Sequence, residues 1–396
     1  MVIQWTLNPD IMPNTLSFQS LKPIIKWAGG KEKELKHIIP NAPDFRRIIE
    51  PFVGGGSVFT AFNASKSLIN DKSEELTALY KAIASNDADF FRLAKEIDSS
   101  WRRVEQFLDR HMEIVETYLR YRFENLEKEW LKQAVDIYCE TNKGEINLII
   151  SKDFGDANNG LAQEMRTNIM RKLYRMREIE KQKHELPYDD IVGNILTAMK
   201  SALYMCYRTL YNAGGGKHCD SAMHCALFLF IRNYAYSGMF RYNEDGKFNV
   251  PYGGMGYNKK TMDGKLRYYQ SDEVRDLFRR TSINSGDFED FLRSVSPTKE
   301  DFVFLDPPYD SEFSTYAGNA FTREDQARLA SYMINECEAK WMLIIKHTDF
   351  IYNLYDHQGI NIRAFDKEYL VSFMNRNNKK ATHLLITNYR LPTETN

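Results

Sequence analysis

The chain lacks the features that would place it in a membrane or in an oxidising compartment. Its 396 residues contain no apolar run long enough to span a bilayer, and the N-terminus does not have the pattern of a signal peptide. The five cysteines are odd in number and lack the spacing of a disulfide framework, which favours reduced thiols. These absences predict a cytoplasmic protein with no membrane partner.

Neither sign of charge is in excess, and no segment is repeated or of low complexity. The 53 Lys and Arg nearly balance 54 Asp and Glu, which gives a net charge of −1. Such a chain has no overall attraction to nucleic acid, so phosphate contacts must come from local clusters. A basic run at 166–183 predicts either such a contact or a solvated helix face. Its members are Arg166, Arg171, Lys172, Arg175, Arg177, Lys181 and Lys183.

The sequence also lacks the spacing of a metal site and of a P-loop. His218, Cys219, His224 and Cys225 are close in sequence, but they match no common zinc motif, so we expect no metal. We interpret Cys225 as the start of a buried helix. The glycine run at 214–216 lacks the P-loop frame and predicts a turn.

One short apolar run ends in a sequence that suits a binding site. Residues 302–305 are rich in β-formers, and Asp-Pro-Pro-Tyr follows at 306–309. The apolar run predicts a buried parallel strand. Because ligands bind at the carboxyl edge of open α/β sheets, the loop after this strand is a candidate binding site. The two prolines remove two backbone donors, so the loop offers carbonyl oxygens, one carboxylate and a ring. It suits a flat ring that carries an amino group, although the tetrapeptide alone is equally consistent with a strand-ending turn.

A second segment of this kind lies far upstream. Residues 47–52 predict a strand, and Val-Gly-Gly-Gly-Ser at 53–57 then leads into a helical run. This order is typical of the first crossover of a nucleotide-binding sheet, where glycine lets a ligand approach the backbone. The next predicted strand, 67–70, is followed by Asp71. Its carboxylate would accept hydrogen bonds from both hydroxyls of a ribose, or it would cap the helix that starts near Glu74.

Four segments match the motifs of a known family in content and order. They are Lys-Trp-Ala-Gly-Gly-Lys at 26–31, Glu-Pro-Phe-Val-Gly-Gly-Gly-Ser at 50–57, Arg-Tyr-Asn at 241–243 with Phe-Asn-Val-Pro at 248–251, and Asp-Pro-Pro-Tyr at 306–309. Over residues 20–100 and 225–390 the chain closely resembles the Dam-like (alpha-group) DNA adenine methyltransferases. The resemblance implies methyl transfer from S-adenosyl-L-methionine to the N6 amine of a flipped adenine in double-stranded DNA.

The resemblance also implies roles for individual residues. The first two motifs would hold the cofactor, Asp71 its ribose, and Asp306 would bridge cofactor and base. Asp287 follows a predicted strand where this fold contacts the cofactor adenine, although it would equally cap the helix at 288–295. The implied catalytic residues are Asp306, Pro307, Pro308 and Tyr309. The implied cofactor-binding residues are Trp27, Ala28, Gly29, Gly30, Lys31, Pro51, Phe52, Gly54, Gly56, Ser57, Asp71, Asp287 and Asp306.

The chemistry of the tetrapeptide agrees with these roles. An adenine amine is a poor nucleophile because its lone pair is delocalised into the ring. The Asp306 carboxylate and the Pro307 carbonyl form a pair of acceptors for its two N–H groups, and they act by preorganisation. Tyr309 supplies a ring for the flipped base, and no covalent nucleophile is needed.

A β-hairpin is predicted at 236–251, with its turn at 243–246. Arg241 has the fork geometry that recognises guanine in the major groove, and the hairpin is therefore the expected DNA-recognition element. Tyr236, Met239 and Tyr242 are alternatively plain packing residues. The expected DNA-binding residues are Lys26, Tyr236, Ser237, Met239, Arg241, Asn249 and Pro251.

The pattern as a whole predicts an α/β fold, a Rossmann-like methyltransferase sheet with an inserted, mostly helical target-recognition domain. We place the catalytic domain at 20–86 and 265–390 and the insertion at 87–264, with loosely held ends at 1–19 and 391–396. Helical runs are predicted at 101–123, 162–183, 195–211 and 323–338. The later strands are predicted at 281–285, 301–305, 341–347, 362–369 and 382–389. The insertion would contact DNA or, through exposed Tyr118, Tyr121 and Tyr174, a protein partner.

Two other functions stay open at this stage. The same fold methylates cytosine or a protein glutamine in other enzymes, although the Asp before the two prolines and the motif at 26–31 argue against both. A DNA-binding protein that has lost catalysis is the second alternative, and the intact motifs argue against it. The recognition sequence, a possible cognate restriction endonuclease and the oligomeric state are not determined by the sequence.

Overall fold

The centre of the molecule is a seven-stranded sheet. The computed structural model describes residues 21–155, 157–214, 220–309, 321–368 and 380–391. The strands are β1 Arg47–Glu50, β2 Ser67–Asp71, β3 Thr281–Ser285, β4 Asp301–Leu305, β5 Lys340–Lys346, β6 Asn361–Glu368 and β7 Lys380–Thr387. Their order is β3-β2-β1-β4-β5-β7-β6, and the first five are parallel, whereas β7 pairs antiparallel with β5 and β6.

This strand order creates a crevice at the carboxyl edge of the sheet. From β1 the chain runs outward to β2 and β3 on one side and then returns to β4 and β5 on the other. The strand order therefore reverses between β1 and β4, and open α/β sheets bind ligands outside such a reversal. The α/β, Rossmann-like prediction is confirmed.

The central strands β1, β4 and β5 are buried on both faces, as is usual in parallel sheets. Ile49, Val303 and Leu343 pack on one side, while Ile48 and Phe302 pack on the other. Strand β4 is buried throughout, which explains its continuous apolar sequence. The helices are α1 Leu35–Ile38, α2 Ser57–Phe62, α3 Glu74–Ala84, α4 Ala88–Arg110, α5 Glu113–Phe123, α6 Lys128–Thr141, α7 Lys143–Ile146, α8 Ala157–Gln182, α9 Tyr188–Ala213, α10 Ala222–Tyr234, α11 Asp263–Tyr269, α12 Asp272–Arg279, α13 Phe288–Val295, α14 Arg323–Asn335 and α15 Asp349–Tyr355.

Helices α3 to α12 lie between β2 and β3 in the chain. Their buried side chains form one hydrophobic cluster with the sheet: Trp101 of α4 and Phe230 of α10 belong to the same cluster as Ile69 of β2 and Phe59 of α2. The helical segment is therefore packed on the core next to the sheet. Among the described residues no helix is both long and apolar enough to cross a bilayer.

Several predicted elements have the predicted bounds, and others differ. Strands 281–285 and 301–305 and helix 288–295 are confirmed. The single helix at 101–123 is wrong, because the chain leaves the helical conformation at His111 (φ −122°, ψ 56°) and α5 starts anew. The exposure expected for Tyr118 and Tyr121 is also wrong, since both rings are buried in the core.

The predicted hairpin is shorter than expected. It opens with a 3-10 helix, Tyr236–Gly238, and its antiparallel pairing consists of two isolated bridges, Ala235 with Tyr252 and Tyr242 with Phe248. The turn at 243–246 is confirmed by the hydrogen bond from the Gly246 N–H to the Asn243 carbonyl (3.0 Å). Pairing does not continue into a sheet, because the outward N–H and C=O of Phe248 both bind the Asn212 side chain.

The remaining local predictions have mixed outcomes. His218, Cys219 and the glycines 215–216 lie outside the described residues. His224 contacts a carboxylate of α3, and helix α10 begins at Ala222, three residues before Cys225, with Ser221 as its cap. The described residues contain no group of three or more metal-ligating side chains.

Candidate active site

A cavity of about 340 Å³ opens at the carboxyl edge of β1, β2, β3 and β4, where the strand order reverses. Its volume lies within the range of sites for small molecules and cofactors, which is about 300–1,000 Å³. Loops that are distant in the sequence meet here. The predicted residues that line it are Trp27, Ala28, Gly29, Gly30, Lys31, Pro51, Phe52, Gly54, Ser57, Asp71, Asp287, Asp306, Pro307, Pro308 and Tyr309.

The glycine loop after β1 holds the first motif against the sheet. A Cβ atom at Gly55 would lie 2.4 Å from the Ile25 carbonyl oxygen, so only glycine permits this approach. The Gly55 carbonyl in turn accepts a hydrogen bond from Ile24 (3.0 Å). Gly56 does not line the cavity; it has a left-handed φ of 79° and faces the Tyr80 hydroxyl. The turn therefore requires a glycine here, and a direct contact of Gly56 with the cofactor stays a prediction.

Asp71 joins the loops after β1 and β2. Its two carboxylate oxygens accept hydrogen bonds from the backbone N–H groups of Gly54 (3.0 Å) and Ser73 (2.9 Å). Burial raises the pKa of Asp71 to about 6, although these backbone donors act in the opposite direction. The alternative role as helix cap is wrong, because Ser73 caps α3 by accepting from Leu76.

Asp306 directly follows the end of β4, and its carboxylate pairs with Lys31 of the first motif. The Lys31 ammonium is almost fully buried and also donates to the Gly29 carbonyl (3.0 Å) and the Tyr309 hydroxyl (3.3 Å). It lies 5.4 Å from the centre of the Tyr309 ring. Since Asp306 is 20% exposed, the pair leaves part of this carboxylate open to the cavity.

Glu50 is a cavity residue that the sequence did not single out. It ends β1 beside β4, it is only 2% exposed, and its Oε1 atom has no hydrogen-bond partner among the described residues. Burial and the nearby charge of Asp306 raise the pKa of Glu50 well above its usual range. This upward shift favours the protonated form of Glu50, which can donate a hydrogen bond, whereas the Asp306 carboxylate pairs with Lys31.

Asp287 lines the cavity and also caps a helix. Its carboxylate accepts from the Glu289 N–H (2.9 Å) and pairs with Arg328 (2.8 Å). Burial raises the pKa of Asp287, but the Arg328 guanidinium and the backbone donor outweigh it and the net shift is downward. The helix-cap interpretation is confirmed, and a cofactor contact stays a prediction.

Arg232 of α10 is the second residue that the sequence analysis missed. The side chain is buried, and it donates to the Lys26 carbonyl (2.6 Å). Its guanidinium lies 4.7 Å from the Trp27 ring and 4.5 Å from the Phe240 ring. The sequence does contain one indication of this role, because Arg232 directly follows the apolar run 226–231. Arg232 ties the first motif to the segment 236–251.

The segment 236–251, here called the recognition segment, borders the cavity through Phe240. The predicted DNA-binding residues lie outside the cavity: Lys26, Tyr236, Arg241 and Pro251 are exposed, whereas Ser237, Met239 and Asn249 are partly buried. Met239 and Tyr242 pack on the core, which confirms part of the packing alternative. The Arg241 guanidinium donates to the Asn249 side chain (2.9 Å) across the bridge.

Comparison with known proteins assigns the family. A Type II methyltransferase, M.MjaIII of Methanocaldococcus jannaschii, is 27% identical over 93% of this chain and 99% of its own length. M.CviBI of Paramecium bursaria Chlorella virus NC1A is 25% identical over 93% of this chain and all of its own length, and the DNA adenine methylase of Escherichia coli K12 is 22% identical over 91% and 93%. The family model for D12 class N6 adenine-specific DNA methyltransferases matches residues 27–368. The chain therefore belongs to the D12 class of N6 adenine-specific DNA methyltransferases.

Proposed function

We propose that this N6-adenine DNA methyltransferase binds its cofactor between Trp27 and Asp71 and holds a flipped target adenine against Asp306, Pro307 and Tyr309. Family membership implies S-adenosyl-L-methionine as the methyl donor. The observation that carries the proposal is that Asp71 and Asp306, which are 235 positions apart, line one cavity at the reversal of strand order. Adenine specificity follows from the family and makes cytosine and protein glutamine the poorer alternatives.

The residues of the cavity fit S-adenosyl-L-methionine. Asp71 is a partly buried acceptor that suits the two hydroxyls of a ribose. Phe52 and Phe288, whose ring centres are 5.5 Å apart, provide apolar surface for a flat ring. The Oε1 atom of Glu50, which has no hydrogen-bond partner within the described part of the chain, is a further polar group at the cavity. We propose Trp27, Asp71 and Asp287 as cofactor contacts, together with the predicted residues of the first two motifs.

The proposed chemistry uses acceptors held in place before the base arrives. The Asp306 carboxylate and the Pro307 carbonyl would accept the two N–H groups of the adenine amine and so localise its lone pair on nitrogen. S-adenosyl-L-methionine supplies an activated methyl group when it is bound. Lys31 pairs with the Asp306 carboxylate, and this carboxylate would take the proton that the methylated amine releases.

Tyr309 would stabilise the flipped base. Stacking on an aromatic ring is worth about 1–3 kcal/mol per base, which is comparable with the few kcal/mol that extraction from the duplex costs. The recognition segment and Lys26 would bind the DNA around that base, with Tyr236 and Ser237 near the vacated position. We further propose that residues 87–264 act as the target-recognition part and that a cognate restriction endonuclease exists, as the names of two Type II relatives suggest.

Two substitutions separate the proposed roles. Asp71→Ala should raise the dissociation constant of S-adenosyl-L-methionine, measured by calorimetry, and leave DNA binding in a gel-shift assay largely intact. Tyr309→Ala should preserve cofactor binding and lower the rate of methyl transfer, while Tyr309→Phe restores much of it because a ring suffices. Equal loss of both activities in both variants would contradict the proposed division of roles.

A further inference from the structure

A buried polar cluster, distinct from the cavity, lies under the recognition segment. Glu75, in the first turn of α3, accepts hydrogen bonds from the Tyr211 hydroxyl (2.5 Å) and the Tyr242 hydroxyl (2.6 Å). His224 of α10 lies 3.1 Å from the same carboxylate and stacks on the Tyr211 ring. The two hydroxyls are themselves 2.9 Å apart. We call these four residues the Glu75 cluster.

The Glu75 cluster joins two parts of the proposed machinery. Glu75 follows Asp71 by four residues, on the helix that starts directly after the cavity residue Ser73. Tyr242 is the neighbour of Arg241 and forms one of the two bridges of the recognition segment. The cluster therefore links the start of α3 with the backbone that carries Arg241.

The rest of the recognition segment is held at its inner side by α9. Asn212 binds both backbone groups of Phe248 (2.9 and 3.0 Å), and Tyr204 donates to the Val250 carbonyl (2.9 Å). These bonds hold residues 248–250 in place. On the other side of the turn, the Tyr242 hydroxyl donates to Glu75 of α3 (2.6 Å) and lies 2.9 Å from the Tyr211 hydroxyl of α9. The position of Arg241 thus depends on Tyr242.

The Glu75 carboxylate is suited to hold Tyr242, because it accepts hydrogen bonds as an anion. Burial raises the pKa of Glu75, but hydrogen bonds from His224, Tyr211 and Tyr242 outweigh it and the net shift is downward. An ionised carboxylate accepts from both tyrosines at once, one on each oxygen. A glutamine would replace the anionic acceptor by one carbonyl oxygen and one N–H₂ group, so neither tyrosine would keep a charge-assisted hydrogen bond.

We infer that Glu75 is a positioning residue for DNA specificity: it fixes Tyr242 and thereby the orientation in which Arg241 meets the base pair. This inference rests on the proposed role of the recognition segment. Glu75 need not touch DNA or cofactor for this role. Its effect should therefore be seen in discrimination between sites, with little change in affinity for S-adenosyl-L-methionine.

The test starts by sequencing plasmid DNA methylated by the wild-type enzyme, which identifies the site. Duplex oligonucleotides that carry this site, or the site with one base pair changed, then give a ratio of kcat/KM values. Glu75→Gln and Tyr242→Phe should each lower this ratio about tenfold, within the usual range for coupled residues. The double variant should lose little more than either single one, because each substitution removes the charge-assisted hydrogen bond between Tyr242 and Glu75.

Glu180→Gln and Tyr118→Phe form a matched control. Tyr118 donates to the buried Glu180 (2.6 Å), which links α5 to α8 without contacting the recognition segment. These two variants should keep the wild-type ratio, even if their melting temperatures fall as much. Thermal unfolding and calorimetry with S-adenosyl-L-methionine report whether each variant is folded.

The outcomes are distinguishable through Arg241→Ala. If this variant loses discrimination while Glu75→Gln and Tyr242→Phe, both folded, retain it, the positioning role is wrong and the proposed function stands. If Arg241→Ala also retains discrimination, the recognition role of the segment is wrong and the inference falls with it. If the ratio also falls in Glu180→Gln and Tyr118→Phe, the effect is a general loss of stability and the positioning role is wrong.

Discussion

Asp306 is the residue on which the proposed chemistry depends most directly. Asp306→Asn replaces one acceptor oxygen by a donor and removes the anionic partner of Lys31, so we expect methyl transfer to fall about 100-fold or more. Asp306→Ala should be at least as damaging. Transfer of a labelled methyl group to duplex DNA measures the effect.

Asp325 provides the control for this prediction. It also lines the cavity, but its carboxylate is used by the cap of α14 and by Arg328. Asp325→Asn should therefore keep most of the transfer rate. Near wild-type activity in Asp306→Asn would contradict the acceptor-pair mechanism.

We expect the Asp71 carboxyl group to make the affinity for the cofactor depend on pH. Its pKa is raised to about 6 in the folded protein, against an ordinary value of about 3.9 in the unfolded chain, so folding takes up a proton between these values. The protonated form therefore stabilises the folded protein at low pH, and this contribution is lost as the pH rises from about 3.9 to about 6. The ionised form, which would accept from a ribose, predominates in the folded protein only above about pH 6.

We therefore expect the dissociation constant of S-adenosyl-L-methionine to rise as the pH falls below about 6. Calorimetry at a series of pH values measures it. Asp71→Asn should bind weakly at every pH and lose this dependence. Glu50→Gln tests the other carboxyl group of the cavity: persistence of the transition in that variant assigns it to Asp71, and its disappearance would assign it to Glu50.

At the scale of elements, the recognition segment and helix α8 should affect DNA binding differently. Arg241→Ala should lose about 1–3 kcal/mol of discrimination at one base pair, because a bidentate contact to a base is sequence-specific. Arg175→Ala removes an exposed charge of α8. It should weaken binding to all sequences and reduce the salt slope by about 0.9 if that charge contacts a phosphate.

The surroundings of α8 limit how much of its charge is available. Arg166 pairs with Asp136, Lys181 pairs with Glu178, and burial together with Arg175 and Arg171 lowers the pKa of Lys172. Part of the basic run is therefore engaged within the helical segment. Titrations at several salt concentrations decide between a phosphate contact and a solvated face: an unchanged slope in Arg175→Ala would favour the solvated face.

At the scale of the whole molecule, the continuous core predicts that the helical segment and the sheet unfold together. Trp101 is 1% exposed and packs on Tyr234 (4.5 Å between ring centres) within the cluster that also contains Ile69 of β2. Trp101→Ala should destabilise the protein by about 3–5 kcal/mol. Urea unfolding followed by circular dichroism and by loss of cofactor binding should give coincident transitions. Loss of helical signal at a lower urea concentration than cofactor binding would indicate a separately folding part.

The sequence by itself determined the sheet edge and its motifs. Strand β4 with Asp-Pro-Pro-Tyr, and β1 with its glycine loop, follow from local rules: apolar runs of strand length, prolines and glycines at their ends, and carboxyl edges that meet in a parallel sheet. The turn at 243–246 follows from an Asp-Gly pair in the same way. Each of these depends on neighbours within a few residues.

Only the tertiary structure decided which distant groups meet. Lys31 and Asp306 pair across 275 positions, and Asp71 binds Gly54 where the sequence also allowed a helix cap. A lone arginine next to an apolar run marks Arg232 as unusual, but the sequence does not show that it contacts the Trp27 and Phe240 rings. The hydrogen bond from Tyr242 to Glu75 has no local pattern at all. The reason is physical: burial of a charged or polar side chain is stable only when a partner arrives from another element, and periodicity along the chain does not contain that partner.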